Sequence, residues 1–177
     1  MGSTKDEQLV IVRVGQGFDI HRFEDAPTPG RELILGGQRF PGERALAGHS
    51  DADVIAHAVA DALLGAAGLG DIGQHFPDTN PQWKNADSIE ILRAVGAMLV
   101  RDGWSVGNVD CSVVCERPKL APVRDAMQST LSRAAGGQVT VKGRRAEGLG
   151  AIGRAEGIMC FASAVITREE SSKKEVG

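Results

Sequence analysis

With 177 residues, 42% of them hydrophobic, and a formal net charge of −3, the chain has the size of one ordinary domain with its own core, and an acidic balance that excludes a general nucleic-acid binder. No apolar run approaches the roughly 18 residues of a membrane span, and the opening MGSTKDEQ has no signal-peptide core. Cys111, Cys115 and Cys160 form no C-x-x-C pair, which suits reduced buried thiols, so the protein is read as cytoplasmic, or organellar after loss of a transit peptide, with no membrane partner.

Residues 1–8 are polar and residues 168–177 charged and without apolar period; both read as disordered tails around one folded domain at 9–167. LVIVRVG alternates as a strand leading to Phe18-Asp19-Ile20-His21, and ELILGGQRF reads as a hairpin turning on Gly36-Gly37. A helix then starts near Ser50, whose spacing to Asp53 fits the S-x-x-D capping signal. Val54, Ile55, Ala58, Val59, Ala62 and Leu63 recur on its apolar face, and Asp53, His57 and Asp61 fall on a polar one. After the loop GLGDIGQHFPDTNP, Asp87 and Glu90 signal a second helix ending near Gly103, and NVDCSVVC is a strand. Pro118 and Pro122 frame the start of a third helix reaching about Ala135; QVTVKGR and GIMCFASAVIT are strands on either side of a glycine-rich loop. The order β-β-β-α-α-β-α-β-β predicts an α+β fold, a mixed four- to five-stranded sheet with helices packed on one face, rather than a doubly wound parallel sheet.

Four groups of residues carry chemistry. Asp19 and His21, two apart in an extended segment, project from the same side. With His57 they make one carboxylate and two imidazoles, a donor set that suits zinc and leaves a fourth position for water or substrate. By spacing alone the three also fit unrelated polar residues. The loop from Asp71 and Gly73 to Phe76, Asp78 and Thr79 puts short acids on backbone shaped by glycine and proline, fit to grip hydroxyls or to form a plain acidic turn. His75 beside it reads as a surface residue. Arg117-Pro118-Lys119-Leu120 lies between a strand end and a helix start, where free N–H groups favour anions and Lys119 suits phosphate, or where an ordinary turn sits. The stretch KGRRAEGLGAIGRAEG contains G-x-G-x-x-G at Gly148, Gly150 and Gly153, but a strand follows where a dinucleotide site needs a helix, and that reading is rejected. What remains is a glycine-rich loop with Arg144, Arg145 and Arg154 against Glu147 and Glu156. It suits a phosphate chain beside a carboxylate-held magnesium ion, or exposed ion pairs of little worth.

Together, GFDIH, HSDADVIAHAVADALLGAAGLGDIGQHFPDT, the GNVD strand leading to RPK, and GRAEGI resemble the 2-C-methyl-D-erythritol 2,4-cyclodiphosphate synthase family in order and spacing along most of the chain. The resemblance implies a homotrimer of the non-mevalonate isoprenoid pathway with active sites between subunits. It implies a metal-dependent cyclising lyase that converts 4-diphosphocytidyl-2-C-methyl-D-erythritol 2-phosphate to the cyclodiphosphate and CMP. It further implies one zinc per subunit on Asp19, His21 and His57, and a second ion, Mg2+ or Mn2+, at Glu147 beside the diphosphate. His49 and Ser50 would touch substrate phosphate; Asp71, Gly73, Phe76, Asp78 and Asn80 the methylerythritol part. Cys115, Pro118, Lys119, Leu120 and Ala121 would form the cytidine pocket, presented by a neighbouring subunit, and Arg154 would face the trimer's central channel. Asp61 is expected to orient the metal ligands from behind.

The chain departs from the family where Arg144-Arg145-Ala146 replace the small hydroxylated residues that commonly touch the diphosphate. Two cations offer stronger, bidentate phosphate contacts; Arg145 is therefore expected to bind the diphosphate and to act with His49 and Glu147 in catalysis, and Arg144 to bind substrate. Competing readings are a non-catalytic trimeric homologue that binds zinc and cytidine nucleotide, and a zinc hydrolase of another phosphate ester.

Overall fold

The computed structural model describes residues 9–170; residues 1–8 and 171–177 of the expected tails lie outside the described residues. The long strand β1 (Leu9–Arg22) is followed by the hairpin β2 (Leu33–Leu35) and β3 (Gln38–Phe40), helix α1 (Val54–Ala67) and the single turn α2 (Ile72–His75). Then come α3 (Ser88–Arg101), β4 (Ser105–Val114), α4 (Arg124–Ala135), β5 (Gln138–Arg144), the short turn α5 (Gly150–Gly153) and β6 (Gly157–Glu170). The main sheet has four strands in the order β1-β6-β4-β5, and the hairpin stands apart from it. β4 and β5 run parallel and the other pairs antiparallel, so the sheet is mixed, as expected. Gly36 and Gly37 take φ of 57° and 71°, the paired positive angles of a tight two-residue hairpin turn that side chains resist.

The helices cover one face. α1 lies on β1 and β6, α4 on β5, and α3 bridges the two helices. The covered face carries the buried Val109, Cys111, Val113, Val139, Val141, Ile158, Cys160, Ala162, Ala164 and Ile166. On the opposite face Val10, Val12, Val14, Phe18, Ile20 and Phe161 are exposed, in step with the two-residue alternation of a strand.

α1 sits against β1 with almost no side chain between them. A Cβ built on Gly17 would lie 1.9 Å from the Ala58 carbonyl oxygen, and one on Gly15 2.0 Å from that of Ala62. Glycine on the strand and alanine on the helix thus let the two backbones meet, which carries His57 down onto Asp19 and His21.

Three expectations need correction. α1 starts at Val54, and Asp53, not Ser50, is its cap, accepting from Ile55 N and Ala56 N. The same carboxylate accepts from Gly36 N at 2.9 Å and Gly37 N at 2.7 Å, so the hairpin turn chose the cap. Burial, then the nearby Asp51 charge, raise the Asp53 carboxyl, and the backbone N–H groups oppose them. The polar face of α1 is buried where it carries these groups: Asp53 is 0% and His57 7% exposed. β6 runs to Glu170, three residues beyond Thr167, where the expected strand GIMCFASAVIT ends. There Arg168 lies 4.4 Å, and Arg13 4.8 Å, from the centre of the buried Trp104 ring, cation–π contacts that draw a charged residue into the strand. Of the second capping signal, Asp87 accepts from Ile89 N, but Glu90 pairs with Arg93.

Candidate metal centre

Asp19 and His21 project from the inner face of β1, and His57 comes down from the first turns of α1. Asp19 Oδ2 lies 3.1 Å from His21 Nε2 and 2.9 Å from His57 Nδ1, and the three donor atoms lie within 4.8 Å of one another. The hydrogen bonds behind them decide what they offer. His21 Nδ1 is 2.7 Å from the Ala47 carbonyl, which can only accept, so Nδ1 carries the proton and a neutral ring turns its Nε2 lone pair towards Asp19. His57 Nε2 is 2.8 Å from Ser88 Oγ, whose own proton goes to Asp51 Oδ1. Nε2 is therefore the donor, and in a neutral ring Nδ1 again presents a lone pair.

In the neutral tautomers that Ala47 and Ser88 favour, a carboxylate oxygen and two imidazole lone pairs converge, an arrangement that calls for positive charge. Protons compete with a metal ion for the same atoms: burial works to raise the Asp19 carboxyl, but hydrogen bonds from the rings of His21 and His57, where these carry a proton facing it, outweigh burial and hold it well below the usual carboxylate range. Burial likewise works to lower His21, and its hydrogen bond and charge interaction with Asp19 win, raising it. One carboxylate and two correctly tautomeric imidazoles fit zinc, with protein ligands at three positions and one open.

The surrounding loops are strapped together. Asn85 N donates to the His49 carbonyl and Asp51 N to that of Ala86, while Asp51 Oδ2 accepts from Ser88 N. Ser50 Oγ accepts from Ala52 N and lies 3.2 Å from His57 Nε2, a buried hydroxyl in the support of the centre. His49 is half-buried, and its Nε2 has no hydrogen-bond partner among the described residues. Asp61 accepts from Ile72 N at 2.8 Å and braces the following loop, while the polar atoms in contact behind the two histidine rings belong to Ala47, Ser50 and Ser88. Ala47 and Ser88 had no local signal, since their bonds to the histidines span 26 and 31 residues.

In the loop after α1, Asp71 caps α2 through Gln74 N, Asn80 accepts from Gln82 N, and Phe76 meets Trp83 edge-on at 5.0 Å. Gly73 and Asp78 are exposed. His75 donates from Nε2 to the Leu69 carbonyl at 2.8 Å, so it is a bonded brace and not a free surface residue.

Elsewhere a cleft of about 610 Å³ opens between the β4–α4 loop and the end of β5. Cys115, Pro118, Lys119, Leu120, Ala121, Arg144 and Arg145 all line it, joined by Glu43, Glu116, Arg117, Arg124 and Gly143. Its cations outnumber its carboxylates, which favours an anionic guest. Arg145 gives Nε and Nη2 to Glu116 Oε2 at 3.0 and 2.8 Å, and Arg144 donates to the Gly143 carbonyl. Glu147 is exposed at φ 52° and Arg154 pairs with Glu156 at 2.7 Å; neither lines the cleft. Asp19, His21 and His57 do not line it either, so within one chain the metal cluster and the cleft do not share a cavity.

A model of the YgbB family matches residues 12–167. Over 159 residues the chain is 52% identical to the 2-C-methyl-D-erythritol 2,4-cyclodiphosphate synthase of Rubrobacter xylanophilus, covering 88% of this chain and 95% of that one. It is 49% identical over 160 residues to the bifunctional enzyme IspD/IspF of Anaeromyxobacter dehalogenans, covering 89% of this chain but spanning 40% of that longer protein. Its fold is similar to that of a Plasmodium falciparum IspF in complex with CDP, with a TM-score of 0.77, 32% identity, and coverage of 90% and 97% of the two chains.

Proposed function

Because the chain belongs to the YgbB family, we propose that it is a 2-C-methyl-D-erythritol 2,4-cyclodiphosphate synthase, converting 4-diphosphocytidyl-2-C-methyl-D-erythritol 2-phosphate to the cyclic diphosphate with release of CMP. The observation that carries this reading is the convergence of Asp19 Oδ2, His21 Nε2 and His57 Nδ1 within 4.8 Å of one another. Asp19, His21 and His57 would hold zinc, which supplies positive charge against the phosphate oxygens of the reacting ends.

In the reaction an oxygen of the 2-phosphate attacks the β-phosphorus, and the bond from that phosphorus to the bridging oxygen breaks, CMP leaving with it. The substrate brings its own nucleophile, so the chain's task is to hold two anionic groups of one molecule together. Lys119, Arg144 and Arg145 would hold the diphosphate in the cleft while Cys115, Pro118, Leu120 and Ala121 cover the cytosine. Glu147 would hold a second ion, magnesium or manganese, beside the diphosphate. The buried, unpartnered Nε2 of His49 suits a phosphate oxygen, since such orphaned atoms generally find a partner in a bound group; Ser50 stands beside it. Asp71, Gly73, Phe76, Asp78 and Asn80 would enclose the methylerythritol end.

The separation of metal cluster and cleft within one chain favours a homotrimer whose active sites lie between copies, with Arg154 near its axis. The exposed apolar face of β1 and β6 is the surface that such assembly would cover. With substrate, zinc and magnesium, CMP appearing by chromatography and a cyclic diphosphate by phosphorus NMR support this function. Free phosphate in place of the cyclic product, or nucleotide binding with no CMP release, overturns it.

A further inference from the structure

Behind the metal centre runs a chain of hydrogen bonds from one helix start to the other. Ser88, the first residue of α3 and 0% exposed, lies with its Oγ 2.8 Å from His57 Nε2. Its own proton is committed to Asp51 Oδ1, and Asp51 Oδ2 also accepts from Ser88 N at 3.1 Å. A hydroxyl that has given its proton away accepts from the imidazole, and a neutral imidazole with its proton on Nε2 has its lone pair on Nδ1. Ser50 Oγ is farther from the ring, at 3.2 Å; it accepts from Ala52 N and has Ser88 Oγ, at 3.4 Å, to take its own proton. Ser50 and Ser88 are both buried, so water cannot readily replace either hydroxyl.

We infer that Ser88, gripped by Asp51, is a positioning residue that makes His57 a metal ligand through Nδ1. This rests on the metal reading given above. The same bonds join the metal's hold to a joint between segments 49–51 and 85–88, which also exchange Asn85 N to His49 O at 2.8 Å and Asp51 N to Ala86 O at 3.1 Å. Without the Ser88 oxygen the ring loses the acceptor that names its protonated nitrogen. The tautomer protonated on Nδ1, which cannot ligate through that atom, then competes.

The test measures zinc affinity of the full chain by competition with a chromophoric chelator, together with circular dichroism. Ser88→Ala is expected to weaken zinc binding about 10- to 100-fold, the usual loss when the partner behind a ligating histidine is removed, with the helical signal kept. Ser88→Thr, which retains a hydroxyl, is expected to recover most of that loss. Long-range proton–nitrogen NMR of the zinc-loaded wild type is expected to show His57 bound through Nδ1 with its proton on Nε2. This readout stands even if Ser88→Ala does not fold. A folded Ser88→Ala protein with wild-type zinc affinity, or a wild-type His57 bound through Nε2, overturns the inference while leaving the zinc site in place. A wild-type protein that takes up no zinc overturns the metal reading and the inference with it.

Discussion

Gly17→Ala tests the seam that brings α1 to the metal ligands. The added Cβ would lie 1.9 Å from the Ala58 carbonyl oxygen and 2.7 Å from Ala62 N, whereas ordinary van der Waals contact begins near 3.4 Å. The helix backbone must therefore retreat by about 1.5 Å, and because the obstacle is backbone, no side-chain rotation relieves it. His57 lies one residue from Ala58, so a comparable retreat would pull its Nδ1 away from Asp19 and His21. A metal site tolerates donor distances only within about 0.2 Å of ideal, while overpacking a core costs about 1–3 kcal/mol, a loss that many domains survive. Zinc affinity is therefore expected to fall at least tenfold even where circular dichroism and thermal melting still report a folded protein. Chelator competition and a melt on the same sample decide it. Wild-type zinc affinity with an unchanged melting temperature would refute the claim that glycine is needed there.

Zinc at about 100 times its dissociation constant should stabilise the protein by about 2.7 kcal/mol, raising Tm by about 5–10 °C for a domain of this size; a calorimetric scan with and without chelator reads it. Arg145→Ala should lower kcat/KM at least tenfold if Arg145 binds the diphosphate; a change within about twofold, about 0.4 kcal/mol, would leave Arg145 as a loop brace on Glu116 alone. Burial, reinforced by the Glu116 charge, pushes the Cys115 thiol up to about 11, and Cys111 and Cys160 are fully buried. A native thiol titration near pH 7.5 should accordingly find no fast-reacting group, and three after denaturation.

The parts of the site set by short-range periodicity were legible from residues alone. Asp19 and His21 share a face because strands alternate, the Gly36-Gly37 turn follows from the angles glycine permits, and the Asp87 cap precedes its helix as the local pattern says. What was missed depended on pairing across the fold. Asp53 displaced Ser50 as the cap because a hairpin 16 and 17 residues earlier needed the same carboxylate. The expected polar face of α1 is covered by that hairpin and by the start of α3, contacts that helical spacing alone does not show. Ser88 carries no local signal, because its partner His57 lies 31 residues away in the chain. β6 outran its expected end because Arg168 had an aromatic ring to rest on.

The chain's two tryptophans stand in contrasting settings. Trp104 is buried beneath two guanidinium groups at one end of the sheet, whereas Trp83 is half-buried against Phe76 in the long connection after α1. Intrinsic fluorescence consequently carries two separable signals. In a Trp83→Phe variant the remaining emission follows melting of the sheet end, and in a Trp104→Phe variant it follows rearrangement of the connection, giving an optical record of ligand capture that needs no added dye.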